Sequence, residues 1–281
     1  MDKIEIYVVS QSPIYFSDTT CLRWIDPNLN SCDNISQKRN YCELRAQYFV
    51  WKNSCYSDND YVGFFHYRRY LSFENSCLNS DKKILPYTIK EKPCMDYYNK
   101  NRIQKILGDA DIIAPVLEYT GTRVYDRFMT SKNHHKETLD IVAQIIEEEY
   151  PEIYPFYCKY INGYGEYYGN IYIMRWKYFK QYCSFLFDVL NKYDEVSKNV
   201  YERSDGYAGE RIFGAYFTWL KNNPSLKYGY LPREHYYIFD DVSHSFKKER
   251  IVNVILPPGS QRRSIITRCY KGVKTKKLIW R

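Results

Sequence analysis

The sequence predicts an α/β fold, because short apolar segments of strand length alternate along the chain with segments of helical periodicity. The apolar segments that predict strands are Ile4–Val9, Tyr61–Phe65, Asp111–Pro115 and Gly169–Met174. The longer segments that predict helices are Asn40–Asn53, Asp96–Leu107, Lys132–Glu149, Trp176–Lys192 and Tyr207–Asn222. At 281 residues the chain is long enough for one large domain with a proper core.

The first predicted helix carries a start signal. Asn40 can cap it, and Glu43 three residues later completes a capping-box pattern. Its apolar side chains fall on one face at helical spacing, namely Tyr41, Leu44, Tyr48 and Trp51. We therefore expect a helix that packs one face against the sheet.

Glycine and proline mark the ends of later elements. Gly108 matches a C-cap for the second helix, and Pro151 ends the third. The stretch Tyr157–Tyr168, rich in Tyr and Gly, predicts a loop. Helix and strand signals fade after about Asp241, so we expect one domain over residues 1–240 and a basic tail over residues 241–281.

The charge of the chain is basic and uneven. Lys and Arg number 41 against 33 Asp and Glu, which gives a formal net charge of +8. Between Lys247 and Arg281 only Glu249 opposes the basic residues, and Leu278–Trp280 adds apolar surface. Such a segment is typical of a peripheral anchor on an anionic leaflet, and equally of a solvated tail. Nucleic acid, anionic lipid and nucleotide-linked substrates all suit the net charge.

Several classes of protein are disfavoured by what the sequence lacks. Nine cysteines without a Cys-x-x-Cys pair or a preceding signal peptide predict reduced thiols in a cytoplasm. No apolar stretch reaches the roughly 18 residues that span a bilayer, and no His/Cys cluster has zinc spacing. The fingerprints of dinucleotide oxidoreductases, P-loop kinases, zincins and α/β-hydrolases are also missing.

The segment most informative about function is the end of the strand Tyr61–Phe65, which runs directly into His66-Tyr-Arg-Arg69. In an open α/β sheet the carboxyl ends of strands face the ligand crevice. Arg68 and Arg69 each present a planar fork of donors that suits a phosphate or a diphosphate. The alternative is a solvated strand end with surface arginines.

Asp109 and Asp111 match the Asp-x-Asp pattern with which many sugar-nucleotide transferases hold a divalent metal. A metal-binding pair should follow a strand, whereas here a helix and Gly108 come before it and the strand comes after. We therefore expect the pair at the amino end of a strand, outside the crevice. Cations at the His66–Arg69 strand end could neutralise a diphosphate leaving group without a metal.

Two further segments allow a functional and a purely structural interpretation. Asn34, in Asp33-Asn-Ile-Ser36, could bind a ribose, a base or an anion, or form an Asx turn. Asp205 and Glu210 lie near the start of a helix, where either could serve as a general base, with Arg211 as a phosphate or sugar contact. The structural alternative is helix capping by Asp205 and a surface pair between Glu210 and Arg211.

These segments resemble a bacterial family of capsule and O-antigen biosynthesis proteins, catalogued as a domain of unknown function, whose members include galactofuranosyltransferase modules. The resemblance covers roughly Ile4 to Pro232 and rests on Asp33–Ser36, Asn40–Leu44 with Trp51–Asn53, Tyr61–Tyr70, Asp111–Pro115, Asn170–Met174 and Gly206–Arg211. It implies a GT-A-like fold, that of nucleotide-diphospho-sugar transferases, with a mixed sheet flanked by helices. The departure is the missing Asp-x-Asp after the strand Tyr61–Phe65, which puts metal dependence in doubt.

The strand-end cations, the basic tail and this resemblance together predict a glycosyltransferase at the cytoplasmic face of the inner membrane. It would move a hexosyl group, with galactofuranosyl a candidate, from a UDP-sugar to a lipid-linked glycan, with inversion and without a required metal or nucleic-acid partner. We expect diphosphate binding by His66, Arg68 and Arg69, nucleoside binding by Ser10 and Asn34, acceptor binding by Asn170 and Arg211, and base catalysis by Glu210 or, second, Asp205.

Two alternatives stay open on the sequence. The first is a non-catalytic basic module that binds nucleic acid or anionic lipid, because the tail concentrates the positive charge. The second is a metal-dependent transferase that uses Asp109 and Asp111.

Overall fold

The computed structural model describes residues 2–74, 86–131, 133–197 and 201–236, together with residues 255–256, 262–263, 265–266 and 269. Its strands and α-helices follow in the order β1 (Ile4–Val9), β2 (Leu22–Ile25), α1 (Leu44–Asn53), β3 (Tyr61–His66), β4 (Arg69–Leu71), β5 (Tyr87–Lys90), α2 (Lys100–Leu107), β6 (Ile112–Pro115), β7 (Glu118–Tyr119), α3 (Val124–Thr130), α4 (Glu137–Glu149), α5 (Tyr154–Ile161), β8 (Gly165–Glu166), β9 (Tyr172–Arg175), α6 (Trp176–Val196), α7 (Ser204–Leu220), β10 (Tyr228–Leu231) and β11 (Arg233–Tyr236). Short 3-10 helices cover Arg39–Tyr41 and Met95–Tyr98.

A mixed sheet organises the fold. The strands β2, β1 and β3 are parallel neighbours, β9 pairs antiparallel with both β3 and β6, and β10 runs parallel to β6. The pair His66↔Arg69 joins β4 to the end of β3, and β11 and β5 follow beyond β4. Because β9 runs against its two neighbours, the carboxyl ends of β1, β3 and β6 meet at one edge, where ligands bind in open α/β sheets.

Both faces of the central strand β3 are covered, which explains its unbroken apolar run. Val62 and Phe64 point into a large core formed with α1 and α4 to α7. Tyr61 and Phe65 point into a second core, which includes Tyr98 and residues of α2. Because successive side chains of a strand point to opposite faces, β3 contributes residues to both cores.

The capping box predicted at Asn40 and Glu43 is wrong. Asn40 lies in the 3-10 helix Arg39–Tyr41, α1 begins at Leu44, and neither cap position makes a side-chain bond. The Asn40 amide instead donates to the Asp205 carboxylate over 2.6 Å. A partner distant in the sequence therefore overrides the local pattern, and the Glu43 side chain is released for another role.

The loop predicted over Tyr157–Tyr168 is also wrong in its first half. The helix α5 runs from Tyr154 to Ile161, with Pro155 in its first turn, where proline is tolerated. Tyr157, Tyr160 and Ile161 are buried at helical spacing. Tyrosine acts here as a core residue, so a segment that looked polar has an apolar helical face.

The remaining predicted elements are found with shifted ends. Asn99 caps α2 by accepting from the Arg102 amide over 2.9 Å, so α2 begins after the predicted start. Gly108 ends that helix with φ of 54°, as predicted. The helix α7 begins at Ser204, three residues early, after Arg203 adopts a left-handed φ of 65°.

The predicted basic tail lies largely outside the described residues. Of its isoleucines, Ile255, Ile265 and Ile266 are described and exposed. Among the helices of the described ranges, none is long and apolar enough to cross a membrane.

Close packing of α5 on α7 gives a test of the core. A Cβ added at Gly214 would overlap the Tyr160 ring, whose hydroxyl also accepts from the Tyr167 amide over 3.0 Å. Overpacking typically costs about 1–3 kcal/mol, so we expect Gly214→Ala to lower the free energy of unfolding by that amount in urea titrations. Ser184→Ala, at an exposed site on α6, is the control. Equal stability of Gly214→Ala and the native chain would contradict tight α5–α7 packing.

Candidate active site

A cavity of about 1240 Å³ opens at the carboxyl ends of β1 and β3. Its walls come from the loop after β1, from the turn after β3, from the segment that leads into α1, and from the residues before α7. The residues that line it include Ser10, Ile14, Asn28, Arg39, Cys42, Glu43, Arg45, His66, Tyr67, Arg68, Glu202 and Arg203. The predicted residues Ser10, His66 and Arg68 therefore lie together at this edge of the sheet.

Arginine dominates the charge of the cavity. Arg45 is a wall residue, because its guanidinium donates to the Cys42 and Ser36 carbonyls and to Asn28. Arg68 lies over the Tyr67 ring at 5.5 Å and Arg203 over the Tyr207 ring at 5.3 Å. Since arginine keeps its charge at every physiological pH, these side chains give the cavity a permanent positive potential.

His66 contributes no positive charge at neutral pH. Burial, together with the neighbouring cations Arg69, Arg68 and Arg203, lowers the pKa of His66 well below its usual value. The imidazole is therefore neutral and can offer a hydrogen bond. The diphosphate charge expected at this strand end would have to be balanced by arginines.

Arg69 lies apart from the cavity walls. Burial and the positive charge of Arg233 lower the pKa of Arg69, while the negative charges of Glu210 and Glu43 raise it. Arg68 lies in the turn Tyr67–Arg68 that follows β3, whereas Arg69 is the first residue of β4. Arg68 thus reaches the cavity, while Arg69 joins a buried set of charges behind it.

Glu43 is, with Arg203, a functional candidate that sequence reasoning missed. Its partly buried side chain lines the cavity, and its Oε1 accepts from the Asn170 amide over 2.8 Å. Burial and the negative charge of Glu210 raise the pKa of Glu43, against the Asn170 hydrogen bond and Arg69, which lower it. The available signal was its place in Asn40–Leu44, but the local pattern pointed to a helix cap.

Asn170 lies beneath Glu43 and does not line the cavity. Its backbone has a left-handed φ of 50°, directly after Gly169 with φ of 91°. Its amide also donates to the Gly206 carbonyl over 3.1 Å, and its own carbonyl accepts from Gln47. These bonds engage the amide nitrogen, and the acceptor contact predicted for Asn170 stays a prediction.

Glu210 and Arg211 are locked in a buried ion cluster. Glu210 accepts from the Gly169 amide and from Arg211, each over 2.8 Å. Arg211 is also paired with Glu166 and donates to the Tyr207 carbonyl over 3.0 Å. Its side chain is 3% exposed, so the surface pair that stood as the structural alternative is wrong, and the two residues form a buried network.

Asp205 lies in a second polar cluster below the cavity. Its Oδ2 accepts from Asn40 and from the Ser204 hydroxyl, each over 2.6 Å. Asp194 stands beside it and accepts from Lys38 and Tyr41. Burial and the charge of Asp194 raise the pKa of Asp205 to about 6. Because these groups join the segments that carry Arg39 and Arg203, the cluster supports the cavity from beneath.

The remaining predicted residues are placed as follows. Ser10 lines the cavity, and its hydroxyl accepts from the Ser12 amide over 3.2 Å. Asn34 forms a turn in which its Oδ1 accepts from the Ser36 amide over 3.1 Å, and it is not among the lining residues. Nucleoside contacts by either stay predictions.

Asp109 and Asp111 lie at the amino end of β6, as predicted, away from the edge that carries the cavity. Asp109 is exposed and pairs with Lys227. Asp111 accepts from the Lys227 amide and pairs with Arg175 at 3.4 Å. Within the described ranges, no group of three or more His, Cys, Asp or Glu side chains could hold a metal ion.

The comparison with protein families gives a direct match. Residues 20–223 match the family described as a domain of unknown function, DUF4422. This chain belongs to that family. No curated protein matches it.

A solved structure is also similar. The apo structure of the bifunctional glycosyltransferase WbbM superposes with a TM-score of 0.73 at 27% identity, over 84% of this chain and 45% of that one. The chain thus spans a little under half of its structural relative. The predicted fold class, α/β with a GT-A-like mixed sheet flanked by helices, is confirmed.

The Asp205 cluster gives a pH-dependent prediction. A carboxyl whose folded pKa of about 6 exceeds its ordinary value of 3.8 adds stability below pH 4 that is lost as the pH rises through 6. Asp205→Asn mimics the protonated acid and does not titrate. We therefore expect the difference in free energy of unfolding between this variant and the native chain to be more favourable to the variant at pH 7.5 than at pH 4.5, by on the order of 2 kcal/mol. Urea titrations at both values measure this, with Asp58→Asn on the surface as control. If the free energies of unfolding of Asp205→Asn and of the native chain differed by the same amount at both pH values, that result would contradict a raised pKa of Asp205.

Proposed function

We propose that this chain is a glycosyltransferase module that transfers a hexosyl group from a UDP-sugar to a lipid-linked glycan. The observation that carries the proposal is the arginine-rich cavity at the carboxyl ends of β1 and β3. The family match and the similarity to a bifunctional glycosyltransferase support it. Pockets for small ligands usually measure about 300–1,000 Å³, so this cavity has room for a nucleotide with its sugar.

Arg68 and Arg203 approach the cavity from two sides and suit a diphosphate held between them. Charge-assisted bonds from guanidiniums would stabilise the charge that develops as UDP leaves. Neutral His66 would add a hydrogen bond, and the loop that begins at Ser10 would receive the nucleoside. Under this proposal the arginines take the part that a metal plays in other transferases, so no divalent ion is required.

The finer features of the proposal come from the family resemblance. Galactofuranosyl is our first candidate for the sugar, and capsule or O-antigen synthesis for the pathway. Transfer in one displacement would invert the anomeric centre of an α-linked donor. The relative WbbM is described as bifunctional, and this chain matches 45% of it, which suits a single transferase module.

The donor site is tested by calorimetric titration of UDP in EDTA. A lost charge-assisted bond costs about 1.5–3 kcal/mol, so Arg68→Ala should weaken UDP binding roughly 10- to 100-fold. Arg123→Ala, an exposed arginine paired with Asp126, should bind UDP as the native chain does. Binding that appeared only with manganese would oppose the metal-free site, and binding unaffected by Arg68→Ala would place UDP elsewhere.

For the basic tail we propose peripheral binding to the anionic cytoplasmic face of the inner membrane. Each basic residue near such a surface contributes about 1 kcal/mol, so removing residues 247–281 should abolish sedimentation with vesicles that contain anionic lipid. UDP binding should persist in the shortened chain. If the shortened chain lost all ligand binding, including UDP, the alternative of a basic binding module would gain support.

A further inference from the structure

We propose that Glu43 is the catalytic base of the transfer and that Asn170 is the residue that positions it. This inference rests on the proposed function, and it replaces Glu210 and Asp205 as the expected bases. The argument begins with the carboxylates near the cavity and asks which one can reach a substrate.

Glu43 combines contact with the cavity and partial burial. Asp205 is fully buried below the cavity floor and is already bound by Asn40 and Ser204. Glu210 is not among the residues that line the cavity, and its two oxygens accept from the Gly169 amide and from Arg211. Glu202 lines the cavity but is exposed to solvent. A base must come within hydrogen-bond reach of its substrate, and Glu43 lines the cavity while its side chain is partly buried.

Asn170 fixes the orientation of Glu43. The left-handed turn at Gly169 and Asn170 aims the Asn170 amide at Oε1 of Glu43 over 2.8 Å and at the Gly206 carbonyl over 3.1 Å. An ionised carboxylate offers about four acceptor positions, so a bond from Asn170 leaves capacity for a substrate hydroxyl. The Glu43 carboxylate is therefore fixed in orientation and can still accept further hydrogen bonds.

The charges around Glu43 suit proton transfer. The charges of Glu210 and Arg69 shift the pKa of Glu43. The charge of Glu43 in turn shifts the pKa values of four neighbours, namely Arg203, Cys42, Arg45 and Tyr172. Burial and Glu210 raise the pKa of Glu43, which makes it a stronger base than an exposed glutamate. Glu210 therefore contributes through its charge while its oxygens stay engaged.

The step balances as a single displacement. The Glu43 carboxylate takes the proton of the acceptor hydroxyl, and that oxygen bonds to the anomeric carbon of the donor sugar. The bond from that carbon to the diphosphate oxygen breaks, and its electron pair leaves on UDP between Arg68 and Arg203. Glu43 then returns the proton to solvent.

The test is Glu43→Gln, which keeps the acceptor oxygen for Asn170 but cannot take a proton. UDP affinity by calorimetry should stay within about threefold, because the diphosphate ligands are intact. Release of UDP from UDP-galactofuranose, with octyl galactoside as acceptor, should fall roughly 10²- to 10⁴-fold. Glu152→Gln, at an exposed site beyond α4, is the carboxylate control and should turn over as the native chain does.

A second measurement needs no turnover. Calorimetry of UDP in buffers of different ionisation enthalpy reports the protons taken up on binding. Since the diphosphate brings negative charge next to Glu43, the native chain should take up a proton fraction near neutral pH that Glu43→Gln loses and the exposed control Glu152→Gln keeps. Proton uptake that persisted in Glu43→Gln, or full turnover by it, would overturn the assignment. Absence of UDP binding by the native chain would instead overturn the proposed function itself.

Discussion

The amide of Asn170 is the contact on which the arrangement of the site depends. It donates to Glu43 just before α1 and to the Gly206 carbonyl in α7, while the Asn170 carbonyl accepts from Gln47 in α1. One residue at the start of the β9 segment thus joins two helices to the sheet. The left-handed backbone at this position explains the residue type. Asparagine tolerates that conformation better than most other residues, and glycine, which also tolerates it, has no side-chain amide.

Buried charges behind the cavity form a second framework. Arg211 bridges Glu166 and Glu210, and Arg233 pairs with Glu118. Removing such groups from water is costly, and each is tolerated because opposite charges and backbone groups surround it. The framework holds the Gly169 amide through Glu210 and so keeps the turn under Glu43 in place. Rigid support of this kind is what a preorganised site requires.

The sequence was sufficient for features that local chemistry determines. The strand β3 and the position of Arg68 at its end were predictable, because an apolar run buried on both faces has few alternatives and strand ends meet at one edge. The role of Glu43 was not, since a capping pattern explained it locally and its partner Asn170 lies 127 residues away. The helix α5 was missed because buried tyrosines were read as loop residues. The short strands β4, β10 and β11 depend on pairing with distant segments, which no local pattern specifies.

The single pair His66↔Arg69, which links β3 to β4, makes this junction intolerant of changes in chain length. Arg68 faces the cavity, while its neighbour Arg69 joins the charges of Glu43 and Glu210. Inserting or deleting one residue here would alter the turn Tyr67–Arg68 and so change the direction in which each guanidinium leaves the backbone. Natural variants of this junction should therefore differ by substitution and keep its length, so that the spacing from His66 to Arg69 is a better guide to related sites than the identity of any one residue within it.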